Sequence, residues 1–463
     1  MAQLPSELLK LVLDSLNRRE LVEMTHVCSR WRALALEHNN CFRYMTLSLE
    51  NGQDVANTFN AWNRSMQTTC GTAIPISLSI ILASSSHNRF ATPSPSMEAA
   101  CSTLSGMMHL VARLSIVSLY PVLANKLMAA LCRSPAPRLR RLDVAIEGID
   151  FTWPVDIFSR SAPRLQILYT SGTSPPYMTV HAFCRITSIR MAWVSDPYTL
   201  DALPGAFPSL HELQLFRCDL SSSRSPSSLR LEQLHITEIE QSDATATFAN
   251  FDTSAIPRIS VAIKKDLYSV SQELLAGMDK SSLHVSIFAW DVFRPFSQRK
   301  IKEFETTIED PIRHLRREIG STGLDLHGIV TAFAPRLARL TIAHRLLKQL
   351  LPVAVVLPQL ETLTISLRSF TVDDSVFFMR KRSYLLTAPA LKLLVLHDGN
   401  GLAPDREPKG TQEVAIIAIE LAALAEYMEI DRQRTVLQLC GVQLKGEEWD
   451  INPCLYLFKR DHV

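Results

Sequence analysis

The chain reads as an α/β protein in which three short helices are followed by an irregular solenoid of short strands and spacer helices. Two observations carry this. Apolar residues recur at helical spacing through the first forty positions, and beyond them a phrase of the form Pro-x-Leu-x-x-Leu-x-(Ile/Val/Leu) returns again and again. Helically spaced stretches precede some of these phrases, which supplies the spacer. The organisation expected is a helical head over 1–40, a linking segment with irregular first repeats over 41–133, and the solenoid over 134–463 with a helical insertion near 296–320.

The head begins at Pro5, which suits a first helical turn, with Ser6 offering a capping oxygen and Glu7 a negative charge. Leu8, Leu9, Leu11, Val12, Leu13 and Leu16 cover an arc of roughly 200° at 100° per residue, wider than a small helix needs against its own core. Part of that arc wants a partner. Asn17 followed by Glu20 has the form of a capping box for a second helix through Leu21, Met24 and Val27, and a third runs from Ser29 through Trp31, Leu34 and Ala35. Three such helices bury little by themselves, and exposed apolar area of this kind marks an interface. Cys28 reads as a small packed residue between Val27 and Trp31, and Trp31 as an apolar anchor flanked by the solvated Arg30 and Arg32.

The repeated phrase occurs at Pro137-Leu139-Leu142-Val144, Pro163-Leu165-Leu168, Pro208-Leu210-Leu213-Leu215, Pro335-Leu337-Leu340-Ile342, Pro358-Leu360-Leu363-Ile365 and Pro389-Leu391-Leu394-Leu396. Copies without proline stand at Ile186-Ile189-Met191, Leu231-Leu234-Ile236 and Leu283-Val285-Ile287, with a weaker one at Val111-Leu114-Ile116. Alternating leucines make a short strand with one buried face, and the proline fixes the angle of entry. Val122, Leu123, Leu127 and Leu131 have helical spacing, as do Val414, Ile417, Leu421, Leu424 and Met428 ahead of a strand-like 435–439. Each unit would bury its leucines against its neighbours alone. Mixed charges from Phe296 to Gly320 read as a solvated helix broken at Pro311, while 84–96, 221–228 and 402–410 read as loops.

Composition narrows the function. A net charge of +2 gives no global field for nucleic acid, so the expected partner is a protein. Nine cysteines without a C-x-x-C pair argue for a reducing compartment, cytosol or nucleus, rather than a disulfide framework or zinc cluster. No apolar run is long enough to span a membrane, and no signal sequence opens the chain. The phosphate-binding, nucleophile-elbow and metalloprotease motifs are missing, so no catalytic residue, metal or cofactor is assigned. Arg380-Lys381-Arg382 reads as a solvated loop.

The string Leu4-Pro5-Ser6-Glu7-Leu8-Leu9, Val12, Leu16, Arg19-Glu20-Leu21-Val22 and Val27-Cys28-Ser29-Arg30-Trp31-Arg32-Ala33-Leu34-Ala35 resembles an F-box. The later phrases resemble the irregular leucine-rich repeats attached to F-boxes; the copy Leu210, Leu213, Leu215, Cys218, Leu220 fits the fuller pattern. The resemblance implies a substrate-recognition subunit of an SCF-type ubiquitin ligase, bound to a Skp-type adaptor and through it to a cullin. By the same resemblance Leu4, Pro5, Glu7, Leu8, Val12, Leu21, Val27, Cys28 and Trp31 pack on the adaptor or shape that surface. Alternation along the strands turns Arg141, Asp143, Glu212, Gln214, Gln233, His235, Arg339, Thr341, Thr362 and Thr364 away from the leucines, as candidate contacts for a protein substrate. Two other readings stay open: an interaction or inhibitor protein that binds the adaptor without directing ubiquitination, and an enzyme with a dispersed site.

Overall fold

Five of the six prolines of the repeated phrase stand at the second position of a tight turn, and Pro335 lies in the 3-10 turn Ala334–Arg336. In Ala136-Pro137-Arg138-Leu139 the Leu139 N–H donates to the Ala136 carbonyl at 3.2 Å, and the same bond closes at Leu165, Leu210, Leu360 and Leu391 at 3.0–3.3 Å. Proline is already set to the φ this position requires and has no N–H to waste. Ile186 makes the same bond to Phe183 at 3.0 Å without proline, so the turn belongs to the phrase rather than to the imino acid. In the computed structural model the described residues are 5–16, 18–37, 44–48, 76–82, 95–147, 151–194, 200–218, 229–239, 248, 250–263, 274, 277–278, 283–294, 299–321, 326–344, 346–347, 355–367, 386–397, 414–417, 428–429, 434–440 and 442–445. They divide into two compact units, Met1–Leu231 and Glu232–Val463.

The N-terminal unit starts with α1 (Ser6–Ser15), α2 (Arg18–Met24) and α3 (Ser29–Glu37). A parallel sheet follows, in which chain order is sheet order: β1 (Tyr44–Ser48), β2 (Ile76–Leu82), β3 (Val111–Ser118), β4 (Arg141–Ile146), β5 (Ile167–Ser171), β6 (Ser188–Ala192) and β7 (Glu212–Phe216). Leu114, Leu142, Leu168, Ile189 and Leu213 fall in one register row and are all fully buried. α4 (Pro95–Met107) and α5 (Pro121–Leu131) lie between strands, the second opened by Pro121 as the spacing of Val122, Leu123, Leu127 and Leu131 predicts.

Further along, the spacers shrink to 3-10 turns at Ile157–Arg160, His181–Phe183 and Leu200–Ala202, and to the single turn α6 (Leu203–Ala206). The expected helix in every repeat is therefore corrected: steps this short leave room for one turn. Sequence reading also passed over β2, although Ile76, Leu78, Ile80 and Leu82 alternate with half-buried neighbours.

The C-terminal unit has a different order. β8 (Gln233–Ile239) and β9 (Arg258–Ile263) run parallel, then an antiparallel meander is set in reverse, so that β9 meets β12 (Leu315–Ser321), next β11 (Arg299–Asp310), then β10 (Leu283–Arg294). The parallel run resumes from β10 to β13 (Leu337–Ala343), which follows α7 (Leu326–Phe333). Short β14 (Val355–Val356), β16 (Leu386–Thr387) and β19 (Met428–Glu429) form a small parallel sheet of their own, each preceding in sequence one of the main strands β15 (Thr362–Ser366), β17 (Leu393–His397) and β20 (Val436–Cys440), which extend the parallel run in that order. β18 (Val414–Ile417) pairs with β21 (Val442–Lys445).

Two helical expectations fail here. The insertion near 296–320 is a hairpin arm: Thr306, Ile308 and Asp310 are buried alternately with half-buried Thr307 and Glu309, as are Leu315, Arg317 and Ile319 on β12. Charges at every second or third place imitate a solvated helix, but period two decides where a partner strand is present. Pro311 sits in the joining turn, where the Asp310 carboxylate accepts the N–H groups of Ile312 and Arg313 at 2.9 and 3.0 Å. Val414–Ile417 is a strand, because four apolar residues fit either period and Val442–Lys445 supplies a ladder. Pro5 is the N-cap and not the first helical residue, its carbonyl accepting the Leu9 N–H at 3.2 Å, and α2 ends at Met24 short of Val27. The loop expected over 84–96 gives way to α4 at Pro95. Leu4, Asn17, Leu220, Leu421, Leu424 and the stretches 84–94, 221–228, 380–382 and 402–410 lie outside the described residues. Among the described residues no helix is long and apolar enough to cross a membrane.

The register has a direct test. Leu213 and Leu363 are fully buried while Gln214 and Thr364, one place on, are half-buried. Leu213→Ala and Leu363→Ala each lose about 2–5 kcal/mol in denaturant melts, whereas Gln214→Ala and Thr364→Ala stay within about 0.5. Equal losses at neighbouring positions would overturn the strand register.

Candidate functional site

The helices α1–α3 divide their apolar residues between two surfaces. Leu9, Leu13, Leu21 and Ala35 are at most 2% exposed and form the module's own small core. Leu8, Leu11 and Val12 are 47%, 65% and 43% exposed, and their i, i+3, i+4 spacing puts them on one stripe of α1. This is the surplus arc, left uncovered. Val27, in the turn after α2, is 59% exposed, and that turn is tied to α3 by Arg32 Nε, which donates to the Thr25 carbonyl at 2.8 Å. Pro5 and Glu7 are exposed at the head of α1, and Trp31 is half-buried.

One expectation needs correcting. Cys28 is exposed, because the turn at 25–28 carries it away from the helix contacts instead of packing it. Leu21 is fully buried, in the module's own core. Leu11, the most exposed apolar residue of α1, was absent from the sequence-derived set although its spacing from Leu8 signals it.

Residues 1–47 match the F-box-like family. The match supports an F-box protein, and F-box domains generally bind Skp-type adaptors. No curated protein matches the chain. The exposed stripe of this F-box-like module is thus the first candidate surface.

The second is the open face of each sheet. In the N-terminal unit Arg141 and Asp143 on β4 are three strands away from Glu212 and Gln214 on β7, with Tyr169 and Arg190 between Asp143 and Gln214 in register. Asp143 is buried at 6% exposure: Arg141 Nε reaches one carboxylate oxygen at 2.7 Å and Arg113 Nη2 the other at 2.8 Å. Its charge is consumed between two guanidinium groups, so it holds the arginines in place instead of standing open as sequence alternation suggested. The Gln214 amide donates to Glu212.

In the C-terminal unit Arg339 pairs in register with Thr362, and Thr341 with Thr364. Gln233 and His235 on β8 are separated from them by β9, β12, β11 and β10. The meander brings His284 opposite Arg339 and Glu309, and burial, with Arg339 adding to it, holds the His284 imidazole below the ordinary histidine range. Among the described residues no cluster of three or more His, Cys, Asp or Glu could hold a metal ion.

Proposed function

We propose that the chain is the substrate-recognition subunit of an SCF-type cullin ubiquitin ligase. The F-box-like module binds a Skp-type adaptor through the stripe Leu8, Leu11 and Val12, and the open faces of a leucine-rich-repeat-like sheet hold a protein substrate. The observation that carries the reading is the uncovered apolar stripe inside the residues that match the F-box-like family. Such a subunit performs no bond chemistry. It holds the substrate where ubiquitin transfer by other subunits becomes effectively intramolecular. Free thiols at Cys28, Cys101, Cys132, Cys184, Cys218 and Cys440 accord with a cytosolic or nuclear setting.

Reconstitution with purified adaptor and cullin decides it. The expected result is a ternary assembly that autoubiquitinates or ubiquitinates a captured protein when the remaining ligase components are added. A complex with adaptor that excludes cullin would replace this reading by that of an adaptor-binding inhibitor, and failure to bind adaptor would remove both.

A further inference from the structure

One end of the N-terminal sheet is marked by unusual backbone. β5, β6 and β7 are each followed by a residue in the left-handed region, Gly172 at φ 69°, Trp193 at φ 54° and Arg217 at φ 49°. The three are in step: the Gly172 N–H donates to the Ala192 carbonyl and the Trp193 N–H to the Phe216 carbonyl, each at 2.9 Å. Glycine is required at the first, where a Cβ would lie 2.4 Å from the Ile146 carbonyl oxygen. Tryptophan and arginine are costly at the other two, and Trp193 is 50% exposed, so core packing does not account for it.

The conformation sets the Trp193 ring 5.5 Å from that of Phe216 and brings the Arg217 guanidinium 4.3 Å from the indole centroid. Phe216 belongs to the open face, since Leu213 and Leu215 take the buried one. Tyr177 and Met178, 50% and 64% exposed, lie in the segment that follows β5.

The adjoining rows are basic. Arg113, Arg141 and Arg190 stand against Asp143 and Glu212, three positive charges to two negative, or +1. Both carboxylates are engaged within the protein, Asp143 by two arginines and Glu212 by Gln214. Among the described residues Arg190 Nε meets no hydrogen-bond acceptor, and the residue as a whole is only half-buried. A guanidinium with donor capacity to spare suits a carboxylate, which fits its fork.

We infer that this end of the open face is a docking site for an acidic peptide segment of a partner protein. Carboxylates of the segment engage Arg113, Arg141 and Arg190, and an aromatic or aliphatic side chain rests on Trp193 beside Arg217. From β3 to β7 is four interstrand steps, about 19 Å, the reach of about six extended residues. The two resident carboxylates disfavour a continuous polyanion, which sets this site apart from a nucleic-acid surface. The inference rests on the receptor reading and names the class of substrate segment.

The test selects a phage-displayed library of random peptides, about ten residues long, against the full chain, then titrates the enriched peptides against wild type, Trp193→Ala and Arg190→Gln. Enriched peptides should carry at least two Asp or Glu near an aromatic or aliphatic residue, bind at least about ten-fold more weakly to either variant, and weaken similarly when their acids become Asn or Gln. Binding that ignores acidic residues, or that is unchanged by both variants, overturns the inference, as does an absolute need for phosphorylated peptides. Adaptor affinity measured on the same proteins separates the two claims: if adaptor binds and acidic peptides do not, the docking site fails and the receptor reading stands. If adaptor does not bind, the receptor reading fails whatever the peptides do.

Discussion

Leu11→Asp, or Leu8→Asp together with Val12→Asp, should weaken adaptor binding by at least about 100-fold, equivalent to roughly 2.7 kcal/mol. Each change puts a charge where an apolar side chain is exposed in the free protein and is covered by the adaptor under the proposed reading, so its desolvation falls on association and hardly on folding. Leu13→Ala behaves in the opposite way. That side chain is fully buried, and its loss should destabilise the module by about 2–5 kcal/mol and weaken binding only through unfolding. Titration calorimetry against the adaptor, with helix content followed by circular dichroism, distinguishes the two. If the Asp variants keep both their helices and their affinity, the stripe is not the adaptor surface.

Arg317→Met should cost roughly 3–5 kcal/mol in the C-terminal unit. Arg317 is the largest fully buried side chain of the described residues, and it donates to the carbonyls of Leu274 at 2.8 Å, Thr253 at 2.7 Å, Pro257 at 3.1 Å and Arg316 at 3.0 Å. Burial pushes the guanidinium down to about 10, with Asp310 opposing the shift, so it remains charged at neutral pH. Removing it orphans several buried acceptors at once, and Thr253 and Leu274 lose their attachment to β12. Arg317→Lys should recover only part of the loss, because one ammonium cannot span the fork. Denaturant melts with hydrogen exchange at the β12 amides provide the measurement. A cost under about 1 kcal/mol would show that the carbonyls find other donors.

How much of this was legible in the sequence varies with the kind of signal. The head was readable because Leu9 and Leu13 against Leu8, Leu11 and Val12 is a pattern with more apolar arc than one core can use. The repeated strands were readable because the turn at Pro137, Pro163, Pro208, Pro358 and Pro389 and the leucines after it are local chemistry. Arg317 was not, since in sequence it is one charge among many between Arg299 and Glu318. Only the long-range approach of the Thr253, Pro257 and Leu274 carbonyls, which no local period records, turns it inward. Trp193 and Arg217 escaped for a related reason. Nothing in the residues themselves announces a left-handed backbone, and their stacking depends on two strands meeting in register. Alternation placed Asp143 on the correct face yet could not show that Arg113, thirty residues earlier, would cover it.

The reversed meander has a consequence for the order in which the chain can assemble as it is made. From β1 to β7 each new strand finds its neighbour already finished, so the N-terminal sheet can grow by accretion behind the ribosome. That mode stops at β9. The next two strands, β10 and β11, match each other over eleven residue pairs and do not pair with β9, which must wait for β12, complete only at Ser321. Until then a hairpin exists without a sheet to join, and one sheet edge stands open. The C-terminal half therefore depends on a single late docking event, and β13, β15, β17 and β20 can be added only after β10 has been turned into place.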